Sequence, residues 1–197
     1  HGFRRICGFD DNRVADACHA FLREERDAPF FLVASFDNPH NICEWGRDQF
    51  GDNCAPWGRL PEIPPLADMP NLPANFSPPV FESSVIRYWQ QSNFNFANAA
   101  MNTPEQWRRY RWGYDRLVEM VDRQIGRILD SLRESGHEED TVIIFSSDHG
   151  DHRGAHGLIQ KWTMYDESVR VPLIVKRTGH VQEGRVHSGL VNTGLDL

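Results

Sequence analysis

Near the C-terminal end of the chain, two short apolar runs bracket an abruptly polar stretch. Residues 142–145 read V-I-I-F, and the chain then changes to Ser146-Ser147-Asp148-His149-Gly150-Asp151-His152. It turns apolar again over residues 171–175. Short apolar runs bounded by Gly and polar residues predict buried strands. A third run, residues 30–36 (F-F-L-V-A-S-F), has the same character and ends in Asp37-Asn38-Pro39-His40-Asn41. Between these runs the period changes from continuous to helical. From Asn12, residues Val14, Ala17, Cys18, Phe21 and Leu22 fall on one face, with Asp10, Asp11 or Asn12 as cap and Asp27-Ala28-Pro29 as the stop. Thr103-Pro104-Glu105-Gln106 is a capping box with proline at the first helical position. Behind it Tyr110, Tyr114, Leu117, Val118, Val121, Ile125, Ile128, Leu129 and Leu132 form one stripe, and Gly136 closes the helix.

Helices alternating with continuous apolar strands predict an α/β fold with a mainly parallel sheet flanked by helices. The stretch from about 44 to 80 differs in texture. Eight of the 12 prolines lie in residues 56–79, with Trp45, Phe50, Trp57 and Phe76 around them. Aromatics among prolines predict a structured loop near the site rather than a solvated tether. Residues 81–102 read as helical or irregular.

At 197 residues the chain is long enough for one domain with a real core. A net charge of −7 disfavours a nucleic-acid partner, and no apolar run approaches a membrane span. Only two of the 21 basic residues are lysines, and one of them, Lys161, lies just beyond the polar stretch. Cys7, Cys18, Cys43 and Cys54 show no C-x-x-C spacing, so they read as buried or free thiols, or as one or two disulfides in an exported protein.

In open α/β sheets ligands bind at the carboxyl ends of strands. There the chain offers Asp148 beside His149, a carboxylate and an imidazole suited to Ca²⁺ or Mg²⁺, with Mn²⁺ and Zn²⁺ as further options. Asp37 is a further acidic group at a strand end. Lys161 is a compact cation for the oxygens of an anion. His40 could donate to the same anion or protonate a leaving oxygen. His152 and His156 read mainly as structural histidines. The chain contains no G-x-S-x-G, P-loop or G-x-G-x-x-G pattern.

The run from Ser146 through S-S-D-H-G-D-H-R-G-A-H-G-L-I-Q-K-W-T-M-Y-D-E-S-V-R-V-P-L-I-V resembles the C-terminal half of the type I sulfatases, within the alkaline-phosphatase-like superfamily. The F-F-L-V-A-S-F-D-N-P-H strand, the G-Y-D-R-L-V-E-M-V-D-R-Q-I-G-R-I-L-D-S-L-R-E-S-G helix and the Pro-rich loop agree with it, in the same order. The resemblance implies an alkaline-phosphatase-like fold and a sulfuric ester hydrolase. It implies that Asp148 and His149 ligate Ca²⁺ (Mn²⁺ or Zn²⁺ less so). It implies that Lys161 touches sulfate and nucleophile, and that His40 lies near the leaving oxygen. The substrate would be a sulfated small molecule or sulfated glycan, and the location periplasmic or extracellular.

The same resemblance calls for a formylglycine made from C-x-P-x-R or S-x-P-x-R, and neither occurs. Cys54-Ala55-Pro56-Trp57-Gly58-Arg59 misses by one place and follows His40 instead of preceding it. The paired Asp ligands and the Lys near the nucleophile do not occur either. Residues 1–197 are therefore expected to be a single partial catalytic domain, middle to C-terminal, inactive in isolation and weak for Ca²⁺. Superfamily relatives leave a phosphodiester or phosphonate hydrolase as the alternative, and a non-catalytic sugar-binding domain as another. The loop residues Trp45, Arg47, Trp57 and Arg59 are candidates for meeting a sulfated sugar.

Overall fold

The computed structural model describes residues 2–43, 59–91, 103–189 and 191. Helix α1, Asp11–Leu22, starts where the acidic run predicts. The Asp10 side chain caps it by accepting from the Asn12 amide at 3.0 Å. Its buried face is Val14, Ala15, Cys18 and Leu22. The helix ends at Leu22, ahead of the expected stop at Pro29.

Helix α2, Ser84–Gln91, lies in the stretch read as helical or irregular. Helix α3, Pro104–Glu134, is the long scaffold. Thr103 and Gln106 close the capping box reciprocally, at 3.3 and 3.0 Å. At the other end Gly136 takes φ +78°. There the amide of Gly136 donates to Arg133 O and that of His137 to Leu132 O, the paired bonds of a Schellman end. The left-handed angle is what a glycine admits at little cost.

The stripe on α3 is used unevenly. The N-terminal half of the helix buries Tyr110 and Leu117 of the stripe, and with them Trp107 and Trp112 from outside it, against Ile42, Cys43, Met69 and Ile159. Its C-terminal end packs on α1, where His19 Nδ1 lies 3.0 Å from the Ser131 hydroxyl. Val118, between them, is exposed. Part of the Pro-rich stretch is structured, as its aromatics suggest. Leu60, Ile63, Leu66, Leu72 and Phe76 pack on the same core. Arg108 holds that segment through the carbonyls of Met69 and Pro70.

Strand β1, Ile143–Ser146, and strand β2, Leu173–Lys176, form a two-stranded ladder. The ladder is antiparallel, with Ile144 opposite Val175 and Phe145 opposite Ile174. The expected α/β character is present, but the one pairing among the described residues runs opposite to the parallel arrangement anticipated. A continuous apolar run suits a strand covered on both faces and says nothing of the neighbour's direction. The burial expected of these runs is not found either, since Ile144, Ile174, Phe31 and Val33 are exposed. Residues 30–36 form no ladder with another described segment. No described helix is long and apolar enough to cross a membrane.

Candidate functional site

His40 is delivered by a tight turn. The Asp11 carboxylate, at the first position of α1, accepts the amides of Asp37 at 2.9 Å and Asn38 at 2.8 Å. The amide of His40 then donates back to Asp37 O at 2.9 Å. The Asn38–Pro39 peptide is cis. Directly behind His40 the chain dives into the core, where Asn41, Ile42 and Cys43 are buried. His40 is thus an exposed ring on a buried stalk.

The loop after β1 is built from backbone bonds. Gly150 N donates to Ser168 O at 2.8 Å, His152 N to Gln160 O at 2.9 Å and His156 N to Asn75 O at 2.7 Å. Three non-glycine residues, Arg153, His156 and Gln160, take left-handed φ of 49°, 57° and 63°. Each such angle costs on the order of 1 kcal/mol, so surrounding contacts must hold the loop in place. Gly150 lies so close to the turn at Glu167 that a Cβ would come within 2.0 Å of the Glu167 carbonyl.

The loop brings Lys161 to two histidines. Its Nζ lies 2.6 Å from His149 Nε2 and 3.2 Å from His40 Nδ1. An ammonium only donates, so each ring presents a lone pair at that nitrogen. The other nitrogen of His149, Nδ1, lies 2.9 Å from Gly150 O and donates to it. Asp148 Oδ2 stands 3.4 Å from His149 Nε2, on a side chain that is 83% exposed. All four residues singled out from the sequence therefore meet at one place.

Chemically the cluster is one mobile cation flanked by two imidazoles, with a carboxylate beside it. Such a cation can exchange its nitrogen partners for the oxygens of an anion. The His149 tautomer, fixed by Gly150 O, is the one that presents Nε2 to a metal. The Asp148 oxygen and the His149 nitrogen suit a divalent cation, but two donors do not complete its shell. Among the described residues no group of three or more His, Cys, Asp or Glu is placed to hold a metal ion.

The floor of the loop is less polar. Burial pushes the Asp151 carboxyl up to about 6, against the Arg153 amide and guanidinium that favour its charge. Burial also holds His152 down to about 4. His152 Nε2 shares a hydrogen bond with Thr163 Oγ1 at 2.8 Å. His156 stacks on Tyr165, with centroids 3.8 Å apart, and lies 3.4 Å from Glu167. These two histidines brace the loop, in keeping with their structural reading.

Two residues of the site escaped sequence reasoning. Asp11 positions the His40 turn, but from sequence it was only one of three cap candidates. Gln160 bridges: its amide donates to Cys43 Sγ at 2.8 Å and its carbonyl accepts from Trp162 Nε1 at 2.7 Å. No motif marks it. Trp45, Arg47, Cys54 and Trp57 lie outside the described residues. Cys7 and Cys18 are free thiols.

A family model described as Sulfatase matches residues 3–194. The chain is 30% identical over 193 residues to the Delta 4,5-hexuronate-2-O-sulfatase of Bacteroides thetaiotaomicron, covering 96% of this chain and 39% of that protein. It is 28% identical over 190 residues to an arylsulfatase of Clostridium perfringens, covering 92% and 36%. A solved 2-O GAG sulfatase superposes with a TM-score of 0.67 at 27% identity, over 85% of this chain and 35% of that one. The chain thus spans somewhat over a third of the length of these relatives.

Proposed function

This chain belongs to the sulfatase family, and from that premise we propose that it supplies the anion-holding part of an enzyme that hydrolyses sulfate esters of carbohydrates to alcohol and inorganic sulfate. We read residues 1–197 as one part of a single catalytic domain, with the stretch at about 44–80 as a loop of that domain. The observation that carries the reading is the meeting of Lys161 with His149 and His40, the latter 121 residues away in sequence.

Each residue has a task in this scheme. Lys161 exchanges its imidazole contacts for oxygens of the sulfate, where its charge offsets that of the transferred group. His40, exposed and next to Lys161, gives a proton to the leaving alcohol oxygen. Asp148 and His149 hold a divalent cation, Ca²⁺ by the family resemblance. When bound, that cation supplies further charge neutralisation at the sulfate. The nucleophile motif does not occur in this sequence, so catalysis needs a residue that these 197 positions do not provide. The sulfated-sugar substrate is supported by the relative whose name states a hexuronate 2-O-sulfate activity.

The test is sulfate release by the full-length protein from a 2-O-sulfated hexuronate disaccharide, with Ca²⁺ present. Lys161→Ala is expected to lower kcat/KM by about 10²–10³ while the thermal unfolding midpoint stays near that of the parent. Undiminished sulfate release in that variant, or turnover of phosphodiesters or phosphonates alone, would overturn the reading.

A further inference from the structure

Beside the anion cluster stands an aromatic surface with no task in the hydrolysis described above. Trp162 follows Lys161 directly, and its ring stacks on that of Trp89 with centroids 6.1 Å apart and planes only 7° from parallel. Trp162 remains 55% exposed. Its one polar atom is already used, since the indole N–H donates to Gln160 Oε1. What the residue offers outward is therefore apolar ring surface.

The pair is fixed relative to the cluster. Gln160, itself buried, holds Trp162 with one end of its amide and Cys43 with the other. Cys43 lies three positions after His40 on the same buried stalk, and its amide donates to His40 O at 3.2 Å. Helix α2, which carries Trp89, is tied to the site loop through Gln90 Nε2, donating to His156 O at 2.9 Å. It is tied a second time just ahead of its start, where the Tyr165 hydroxyl donates to Glu82. The ring pair is thus tied by hydrogen bonds to the stalk that carries His40 and to the loop that carries His149 and Lys161, rather than left on a loose loop.

The shape selects among ligands. A cage for a quaternary ammonium needs ring faces that enclose the cation from several sides. Two nearly parallel rings present one flat face instead. A stacked nucleic-acid base is disfavoured by the net charge of −7. A pyranose ring, with a face of C–H groups and a rim of hydroxyls, matches a flat indole next to a group that takes its sulfate. We propose that the exposed face of Trp162, backed by Trp89, is a sugar-binding subsite that stacks the pyranose whose sulfate is held by Lys161. The proposal rests on Lys161 being the sulfate-holding residue.

The experiment has a kinetic arm and a binding arm, both on the full-length protein. In the first, Trp162→Ala raises KM for a 2-O-sulfated hexuronate disaccharide about tenfold and changes kcat by less than about twofold, and Trp162→Phe recovers most of the loss. In the second, saturation-transfer NMR with the desulfated disaccharide shows contact on the C–H face of one ring. That contact is lost in Trp162→Ala and kept in Trp162→Phe and Lys161→Ala. Sulfate release with an unaltered KM and unaltered saturation in Trp162→Ala overturns the subsite and leaves the hydrolysis standing. Absence of sulfate release, with saturation that still depends on Trp162, overturns the hydrolysis and leaves the subsite standing. Saturation of choline in place of the disaccharide, lost in Trp162→Ala, assigns the surface to a quaternary ammonium and overturns the sugar assignment.

Discussion

The loop that follows β1 and the ladder that β1 makes with β2 share a strand end, yet they are held in different ways. The loop has almost no regular structure, and still its side chains are sunk: His152, Leu158, Ile159 and Gln160 are all buried. The ladder has regular pairing, and still its apolar side chains stand in the open, Ile144 at 53% and Ile174 at 59% exposure. Regularity and burial have come apart. The loop is braced by residues 59–80, by α3 and by the turn at Asp166–Val169, all within the described chain. Among the described residues the ladder is braced mainly by itself. Order at the site therefore comes from specific contacts over a small area, and the strands carry an apolar face that these contacts do not cover.

The sharpest way to break the contrast is at Gly150. A Cβ there would meet the Glu167 carbonyl at 2.0 Å, and backbone on one side of the clash cannot swing away as a side chain would. The Gly150 amide also donates to Ser168 O, so the two segments cannot separate without losing that bond. Gly150→Ala is expected to destabilise the chain by about 3 kcal/mol or more and to uncouple Lys161 from His149. Thermal unfolding and the His149 ring shifts in NMR read the two effects. A variant as stable as the parent, with His149 unmoved, would show that the loop is softer than its burial implies.

Much of this was legible in the sequence, and what was not has a physical reason. The capping box at Thr103 and the glycine end at Gly136 are local chemistry, and both took form as the spacing predicts. Asp148, His149 and His40 could be singled out because they follow apolar runs, and Lys161 because it is one of only two lysines; the roles proposed for them come from the sulfatase resemblance. Neither the direction of the β1–β2 pairing nor its exposure was legible, since a run of four apolar residues states what a strand could bury and not who pairs with it or what covers it. Nor was the role of Asp11 or Gln160. Each acts by bridging segments far apart in the chain, 26 residues between Asp11 and Asp37 and 117 between Gln160 and Cys43. Bridges of that kind leave no period and no motif.

A middle-sized effect sharpens the comparison through pH. Burial holds His152 at about 4 in the folded chain, well below the ordinary histidine value of 6.5. The unfolded chain binds that proton first as pH falls. The neutral ring's contribution is therefore complete above about 6.5 and is lost progressively as pH drops to about 4, by roughly 2–3 kcal/mol in all. His152→Gln removes this titration and leaves the other groups in place. Parent and variant unfolding free energies, subtracted at each pH, should diverge across that window and run parallel above it. A difference that stays flat from pH 7 to pH 4 would mean that water reaches His152 freely.

The smallest effect belongs to the ladder, and it is informative because it should be small. Ile144 and Val175 face each other on one side of the pair, Phe145 and Ile174 on the other. All four are exposed, so neither side is sealed. Threonine keeps the β-branch that suits a strand, so Ile144→Thr changes the polarity of the side chain more than its backbone preference. In this chain it should shift stability by no more than about 0.5 kcal/mol. Leu117→Ala in the α3 core should cost about 2–5 kcal/mol by comparison. Chemical denaturation of both variants reads the ratio. A loss above about 1.5 kcal/mol at Ile144 would mean that the strand face is already covered, and that loop and ladder are held in the same way after all.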